Sequence, residues 1–211
     1  MIKILVADDH PVVRRGLKQI LSEDPALVVA GEAADGPEVL DKTRTNAYDL
    51  VLLDISMPGQ DGLSVLKQLK SEKPELAVLV MSIHPENQYA VRVLKAGASG
   101  YITKDCAPQE LISAIRAALA GRKYVSSSLA QDLASKLGET GEKLPHEALS
   151  DREFSILRLI ASGKPKQAIA QELFLSPKTV STYRSRVLKK MGLKTDADII
   201  RYVIENRLMG G

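Results

Sequence analysis

Five polar side chains in the first half of the chain, Asp8, Asp9, Asp54, Ser82 and Lys104, are of types that together can handle a phosphoryl group. Three carboxylates gathered in one crevice repel, and each raises the others' pKa unless a cation neutralises them. An all-oxygen, carboxylate-rich set suits a hard divalent ion. Mg²⁺ in such a site keeps several waters and takes one or two carboxylates with a phosphate oxygen. Lys104 offers a compact positive charge for a phosphoryl oxygen, and Ser82 a hydroxyl. Taken singly, each residue has an ordinary structural role. An Asp that closes a strand commonly caps or begins a turn, a Lys is commonly solvated, and a Ser often bonds its own backbone. The chemistry depends on whether the chain gathers the five.

The elements that carry them indicate that it does. Leu50–Leu53 has the length and composition of a strand buried on both faces, and it ends in Asp54 before a turn-rich loop with Pro58, Gly59 and Gly62. Similar runs at Ile2–Ala7, Leu27–Ala30, Ala77–Met81 and Gly100–Ile102 alternate with amphipathic segments near Val12–Leu21, Pro37–Thr45, Gly62–Lys70 and Glu86–Ala96. A last helix opens at about Pro108, runs to Ala120 and is stopped by Gly121. This repetition reads as an α/β fold with a doubly wound parallel sheet of five strands. Asp8 and Asp9 close the first strand, Asp54 the third and Ser82 the fourth, and Lys104 follows the fifth. In the flavodoxin-like order those four strands are neighbours, and ligands bind beyond their carboxyl ends. The pattern therefore predicts a phosphate site with Mg²⁺.

The 211 residues leave room for two domains with their own cores. The apolar start, Ile2–Ala7, runs straight into Asp8 and Asp9, which predicts no signal peptide. No apolar run approaches the roughly 20 residues that span a bilayer. A single cysteine, Cys106, rules out an internal disulfide and suits the cytoplasm, with a buried, inert thiol expected. The net charge of +3 is unevenly spread: residues 1–125 carry 15 Lys/Arg against 16 Asp/Glu, 126–148 carry 2 against 4, and 149–211 carry 12 against 6. A near-neutral first domain followed by a small basic one points to a polyanionic partner for the second.

The division follows: a first domain over 1–122, a linker over 123–148 and a second domain over 149–211. Ser126–Ser128, Gly138, Gly141 and Pro145 give the linker its composition, while Leu129, Leu133 and Leu137 predict a short helix within it. Beyond it, Ser150 with Glu153 forms a capping box, and Gly163 ends that helix. Pro165 opens a second helix, and Ser176 before Pro177 caps a third that Gly192 stops. Thr195 with Asp198 starts a fourth. Four helices with short turns suggest an all-α helix-turn-helix domain. On the third, Val180, Val187 and Met191 share one face. Lys178, Thr182, Ser185 and Lys189 share the opposite one, flanked by Ser181 and Arg186. Short polar groups between cations suit a helix in a major groove; a merely solvated basic face is the plainer reading. A membrane-surface helix would need large apolar residues there, and none are present.

ILVADDH, LLDISMPGQDG, VLVMS and GYITK together resemble the receiver domain of two-component response regulators. The resemblance implies that Asp54 accepts a phosphoryl group from a sensor histidine kinase. It implies that Asp8, Asp9, Asp54 and the backbone carbonyl of Ser56 bind Mg²⁺, with Asp8 acting through water. Lys104 would hold the phosphate, and Ser82 and Tyr101 would form the switch that reports it.

LSDREFSILRLIASG, IAQELFLSPKTV and VLKKMGLKT resemble the LuxR-type helix-turn-helix of the NarL/FixJ family. Many members carry Lys-x-His after the Thr-Val of the third helix. Here Ser181, Thr182, Tyr183 and Arg184 follow, which is similar to the GacA/UvrY-like branch. The implied DNA-contacting set is Lys178, Thr179, Ser181, Thr182, Arg184, Ser185, Arg186 and Lys189. The resemblance thus implies a cytoplasmic response regulator whose phosphorylation favours a homodimer and controls binding to double-stranded DNA, with RNA polymerase a further candidate partner. It implies no enzyme, only self-directed phosphotransfer and autodephosphorylation. Two rivals stand beside it. A haloacid-dehalogenase-like phosphatase would need a second carboxylate near Asp54, and position 56 is Ser. A flavin-binding module would need a phosphate-cradling loop where Asp8, Asp9 and His10 stand.

Overall fold

The computed structural model describes residues 1–57, 62–82, 86–127, 129–131, 144–173, 175–206 and 208, the side chains of 86–89, 147 and 151 excepted. The chain forms two compact units, Met1–Leu137 and Gly138–Gly211. The first begins with β1 (Ile2–Ala7), α1 (Pro11–Ser22), β2 (Leu27–Ala33), α2 (Gly36–Thr45), β3 (Leu50–Asp54) and α3 (Gly62–Glu72). It continues with β4 (Ala77–Ser82), α4 (Glu86–Lys95), β5 (Gly100–Thr103) and α5 (Pro108–Leu119). The sheet is parallel throughout, in the order β2-β1-β3-β4-β5. That is the flavodoxin-like order expected from the alternation of apolar runs and amphipathic segments.

Period-two alternation along the strands sends side chains to two cores. Leu5, Val51, Leu53, Val78, Val80 and Tyr101 meet Val39 of α2, Leu66 of α3 and Val93 of α4. Ile4, Leu50, Leu52, Leu79 and Ile102 meet Leu17 and Leu21 of α1 and Leu111 and Ile115 of α5. Every residue of β3 is buried, Asp54 included. β2 runs three residues past its apolar stretch, because Val6 pairs with Glu32 and Ala7 with Ala33. It is an edge strand, and Arg14 holds Glu32 by an ion pair of 2.9 Å, so no apolar signal marks those positions.

The strand edge at β5 is closed from downstream. Gly100 forms a parallel bridge with Tyr124, whose carbonyl accepts the Tyr101 N–H at 3.1 Å. Leu129 is buried in the first core. Both fall in the stretch that composition marks as linker; the other positions of the expected short helix, Leu133 and Leu137, lie outside the described residues. Cys106 is half-buried, and burial, then Glu110 and Asp105, push its thiol pKa up to about 11. It stays protonated and inert.

The second unit holds a 3-10 turn (Pro145–Ala148), then α6 (Asp151–Ala161), α7 (Lys166–Glu172), α8 (Pro177–Met191) and α9 (Asp196–Glu205). The capping signals operate as the spacing predicts. Ser150 and Glu153 cap α6 reciprocally, Thr195 and Asp198 do the same for α9, and Ser176 accepts the Thr179 N–H at the start of α8. Gly192 ends α8 at φ 67°, a left-handed conformation that favours glycine. Phe154, Leu157, Ile169, Val180, Val187, Ile199 and Val203 are buried. Two polar ties join elements distant in sequence: Lys190 Nζ lies 2.6 Å from the buried Glu153 carboxylate, and His146 Nδ1 lies 2.8 Å from the Tyr202 hydroxyl. No described helix is long and apolar enough to cross a membrane.

A Cβ at Gly100 would stand 2.6 Å from the Tyr124 carbonyl oxygen and 2.9 Å from Leu79 Cδ1. Gly100→Ala is therefore expected to destabilise the first unit by about 1–3 kcal/mol, read as a lower urea midpoint at unchanged slope. An unchanged midpoint would mean that the 124 segment does not cap the sheet edge.

Candidate functional site

The carboxyl ends of β1, β3, β4 and β5 gather the polar residues that the strand endings predict. Asp8 follows β1 and Asp54 ends β3, each 1% exposed. Lys104 follows β5, and its Nζ lies 2.7 Å from Asp8 Oδ2 and 2.8 Å from Asp54 Oδ2. Backbone bonds set these positions. The Lys104 N–H donates to the Ser82 carbonyl at 2.8 Å, and the Ile55 N–H donates to the Met81 carbonyl at 3.2 Å. Asp54 Oδ1 accepts the Ser56 N–H at 2.9 Å, which folds the loop back over the carboxylate. Arg14 donates to the Asp8 carbonyl at 2.6 Å.

His10 completes the crevice. Its N–H donates to Asp8 Oδ1 at 2.8 Å, and its Nδ1 lies 3.2 Å from Asp8 Oδ1 and 2.8 Å from Asp9 Oδ1. Ser82 and Tyr101 are both fully buried, Ser82 ending β4 and Tyr101 within β5. Ser56 is exposed and reaches the crevice through its backbone.

The charges do not balance. One ammonium serves Asp8 and Asp54, with Asp9 beside them, so two negative charges stay uncompensated. Burial pushes the Asp54 pKa up, and the hydrogen bonds from Lys104 and the Ser56 N–H offset only part of that. For Lys104, burial opposes the charge, yet Asp54 and Asp8 outweigh it and raise its pKa. The two shifts have different causes: burial dominates at Asp54, whereas the two carboxylates dominate at Lys104.

Two oxygens reflect the same imbalance of charge. Asp8 Oδ2 and Asp9 Oδ1 are buried and receive no hydrogen bond, only ion contacts. Asp8, Asp9, His10 and Asp54 each present a ligand atom, all within 4.8 Å of one another. A divalent cation supplies the two missing charges, and the carboxylate oxygens suit a hard one such as Mg²⁺. The residues fit the ion.

In the second unit, α8 is buried along Val180, Val187 and Met191 and exposed at Lys178, Thr182, Ser185, Arg186 and Lys189; Thr179 and Ser181 are partly exposed. The hydroxyls of Ser181, Thr182 and Ser185 donate to the carbonyls of Pro177, Lys178 and Ser181 at 3.0–3.1 Å, which keeps oxygen lone pairs as acceptors on the free face. Arg184 differs. Its Nε is paired with Asp196 Oδ1 of α9 at 2.7 Å, so this cation ties α8 to its neighbour. Arg186 lies over the Tyr183 ring, 5.7 Å from its centroid. Sequence periodicity does not find the Arg184–Asp196 and Glu153–Lys190 pairs, whose partners sit on different helices. For His10 the signal was its place directly after two aspartates.

A 2-1-3-4-5 parallel sheet with an acid-and-lysine crevice, followed by a helical unit with a basic helix face, outlines a receiver coupled to a DNA-binding module. Comparison with known proteins agrees over both parts. Residues 4–116 match the response regulator receiver domain, and residues 147–203 match the bacterial regulatory proteins of the luxR family. The response regulator UvrY of Escherichia coli (strain K12) is 37% identical over 209 residues, 99% of this chain and 96% of that protein. The response regulator GacA of Pseudomonas aeruginosa is 37% identical over 210 residues, 99% of this chain and 98% of that one. RcsB from Salmonella enterica serovar Typhimurium, bound to promoter rprA in the presence of the phosphomimetic BeF3-, superposes with a TM-score of 0.68 at 28% identity, covering 95% and 97% of the two chains. This chain belongs to the response regulators with a LuxR-type DNA-binding domain, transcription regulators that phosphorylation activates.

The raised Asp54 pKa fixes a sign. Below the ordinary carboxyl value of 3.8 the group is protonated folded and unfolded and contributes nothing. As pH rises through the elevated folded pKa, the folded state must ionise a group that burial disfavours, so stability falls by about 1.4 kcal/mol per unit of elevation. In chelator at neutral pH, Asp54→Asn should therefore raise the thermal midpoint, with the gain vanishing in acid. Mg²⁺ should stabilise the wild type by about 2.7 kcal/mol at a hundredfold excess over Kd, and so raise its thermal midpoint. An Asp54→Asn protein less stable than wild type at neutral pH would refute this charge assignment.

Proposed function

We propose that Asp54 is the phosphoacceptor of this regulator, and that the Lys104 ammonium between Asp54 and Asp8 is the observation that carries the reading. In phosphotransfer an Asp54 carboxylate oxygen bonds to the phosphorus of a kinase phosphohistidine, the P–N bond breaks, and its electron pair leaves with the imidazole. Asp54 must be ionised for this, and Lys104 and the Ser56 N–H favour that form against burial. Asp9, Asp54 and the Ser56 carbonyl would hold Mg²⁺, with Asp8 acting through water, and the bound ion would supply positive charge for the carboxylates and a phosphoryl group. Lys104 then turns from carboxylate to phosphoryl oxygen, a charge-assisted contact. The buried Ser82 hydroxyl and the buried Tyr101 ring report the new group by rearranging together.

The remaining assignments rest on the same reading. The receiver spans 1–122, a linker 123–148 and the DNA-binding domain 149–211. Phosphorylation favours a homodimer, whose two-fold symmetry suits paired DNA half-sites. Lys178, Thr179, Ser181, Thr182, Arg184, Ser185, Arg186 and Lys189 form the DNA-facing set. The exposure of most of them supports it, and the pairing of Arg184 with Asp196 gives Arg184 an orienting part in it. The protein works in the cytoplasm with a sensor histidine kinase and RNA polymerase, and its only chemistry is self-directed phosphotransfer and autodephosphorylation.

With Mg²⁺ and acetyl phosphate, the intact mass should rise by one phosphoryl group, and chelation should prevent it. A phosphorylated Asp54→Asn protein would sink the assignment. A second measurement divides the roles on α8. Lys189→Ala should weaken binding to operator and scrambled DNA alike and reduce the salt slope by about 1. Thr182→Ala should leave the slope unchanged and relax preference at one base pair by roughly 1–3 kcal/mol. Equal effects of Thr182→Ala on both DNAs would mean that the helix docks in another orientation.

A further inference from the structure

We propose that His10 makes the crevice a mixed oxygen–nitrogen site, in which Nδ1 adds a ligand for borderline divalent cations such as Ni²⁺ and Zn²⁺ beside the hard ion. The inference rests on the reading that the crevice takes a divalent cation.

The ring's polar contacts are confined to the crevice: Nδ1 is within hydrogen-bonding distance of Asp8 Oδ1 at 3.2 Å and lies beside Asp9 Oδ1. His10 stands at the N-cap of α1, where a Ser or Asp side chain would accept a backbone N–H, and its ring makes no capping bond. Its backbone is held instead by its own N–H on Asp8 Oδ1 and by Pro11 after it. The ring is thereby kept beside the carboxylates, while its side chain remains 64% exposed.

The distances suit a shared cation. Ligand atoms about 2.1 Å from an octahedral metal stand about 3.0 Å apart on adjacent corners. Nδ1 stands 2.8 Å from Asp9 Oδ1 and 3.2 Å from Asp8 Oδ1, on either side of that value. The 2.8 Å contact is no hydrogen bond, for Asp9 Oδ1 is a buried atom that receives none. With Nδ1 unprotonated, the ring nitrogen and the carboxylate oxygen are both electron-pair donors to a cation placed between them. The neutral ring ligates through Nδ1 when its hydrogen sits on Nε2.

Ligand type then sets the preference. A nitrogen donor adds little for Mg²⁺, whereas affinity at mixed sites climbs toward Ni²⁺, Cu²⁺ and Zn²⁺. The alternative is that His10 merely orients Asp9 from outside the metal's ligand set, and such a role supports every cation alike.

The test titrates the metal-free full chain calorimetrically with Mg²⁺, Ni²⁺ and Zn²⁺, in wild type, His10→Gln and His10→Ala. Glutamine keeps the size and hydrogen bonding of the side chain without the imidazole nitrogen. Only heat that excess Mg²⁺ displaces is counted, which excludes binding at the chain's other two histidines. Both variants should lose at least tenfold in Ni²⁺ and Zn²⁺ affinity and less than about twofold for Mg²⁺. Pulsed EPR of the Mn²⁺ form should show coupling to a histidine nitrogen that His10→Gln removes. Equal losses for all three cations, or none, would overturn the proposal and leave the Mg²⁺ site standing. A wild-type protein that binds no Mg²⁺ would instead overturn the metal reading itself.

Discussion

The first domain depends on one imbalance: a single ammonium, Lys104 Nζ, lies between two buried carboxylates while a third stands beside them. Uncompensated charge in a partly dry crevice is costly, and only a scaffold that over-determines the positions can hold it. The sheet does so. Asp54 is the last residue of a strand buried at every position, and Lys104 is anchored by its own N–H to the Ser82 carbonyl across the β4–β5 edge. The shortage of positive charge makes the crevice suited to a cation. Stability and reactivity here are two aspects of one electrostatic arrangement.

The second domain solves a different problem. A helix that leaves one face free is fixed by contacts on its other side. α8 is fixed by Val180, Val187 and Met191 in the core, by Lys190 on the buried Glu153 and by Arg184 on Asp196. Two of its cations thus act within the protein, while Lys178, Arg186 and Lys189 remain exposed. Part of the basic excess in 149–211 is therefore paired within the unit, which a charge count cannot reveal. Glu153 illustrates the economy of the design: one carboxylate caps α6 and anchors the end of α8.

The family places a charge-adding modification in the first domain and a DNA-facing helix in the second. Such a modification acts by biasing an element with two arrangements. Ser82, at the end of β4, and Tyr101, in the first core, are both fully buried. A closely packed interior cannot absorb a new doubly charged group by continuous deformation.

The sequence by itself determined most of the architecture. Apolar runs alternating with amphipathic segments are enough for a parallel doubly wound sheet, and the strand endings alone bring Asp8, Asp9, Asp54, Ser82 and Lys104 to one edge. The capping boxes at Ser150 and Thr195 were equally legible, because helix starts are written in residues three apart. What escaped were the pairings between residues distant in sequence. The extension of β2 rests on Val6 and Ala7 rather than on its own polar residues, and the closing of the sheet edge rests on Tyr124 meeting Gly100. The role of Arg184 was decided by Asp196 on the next helix, and the place of His10 by two carboxylates and a fixed backbone. Local chemistry and periodicity are properties of the chain, so they can be read along it. Which cation meets which carboxylate depends on the packing of separate elements, and only the tertiary structure decides that.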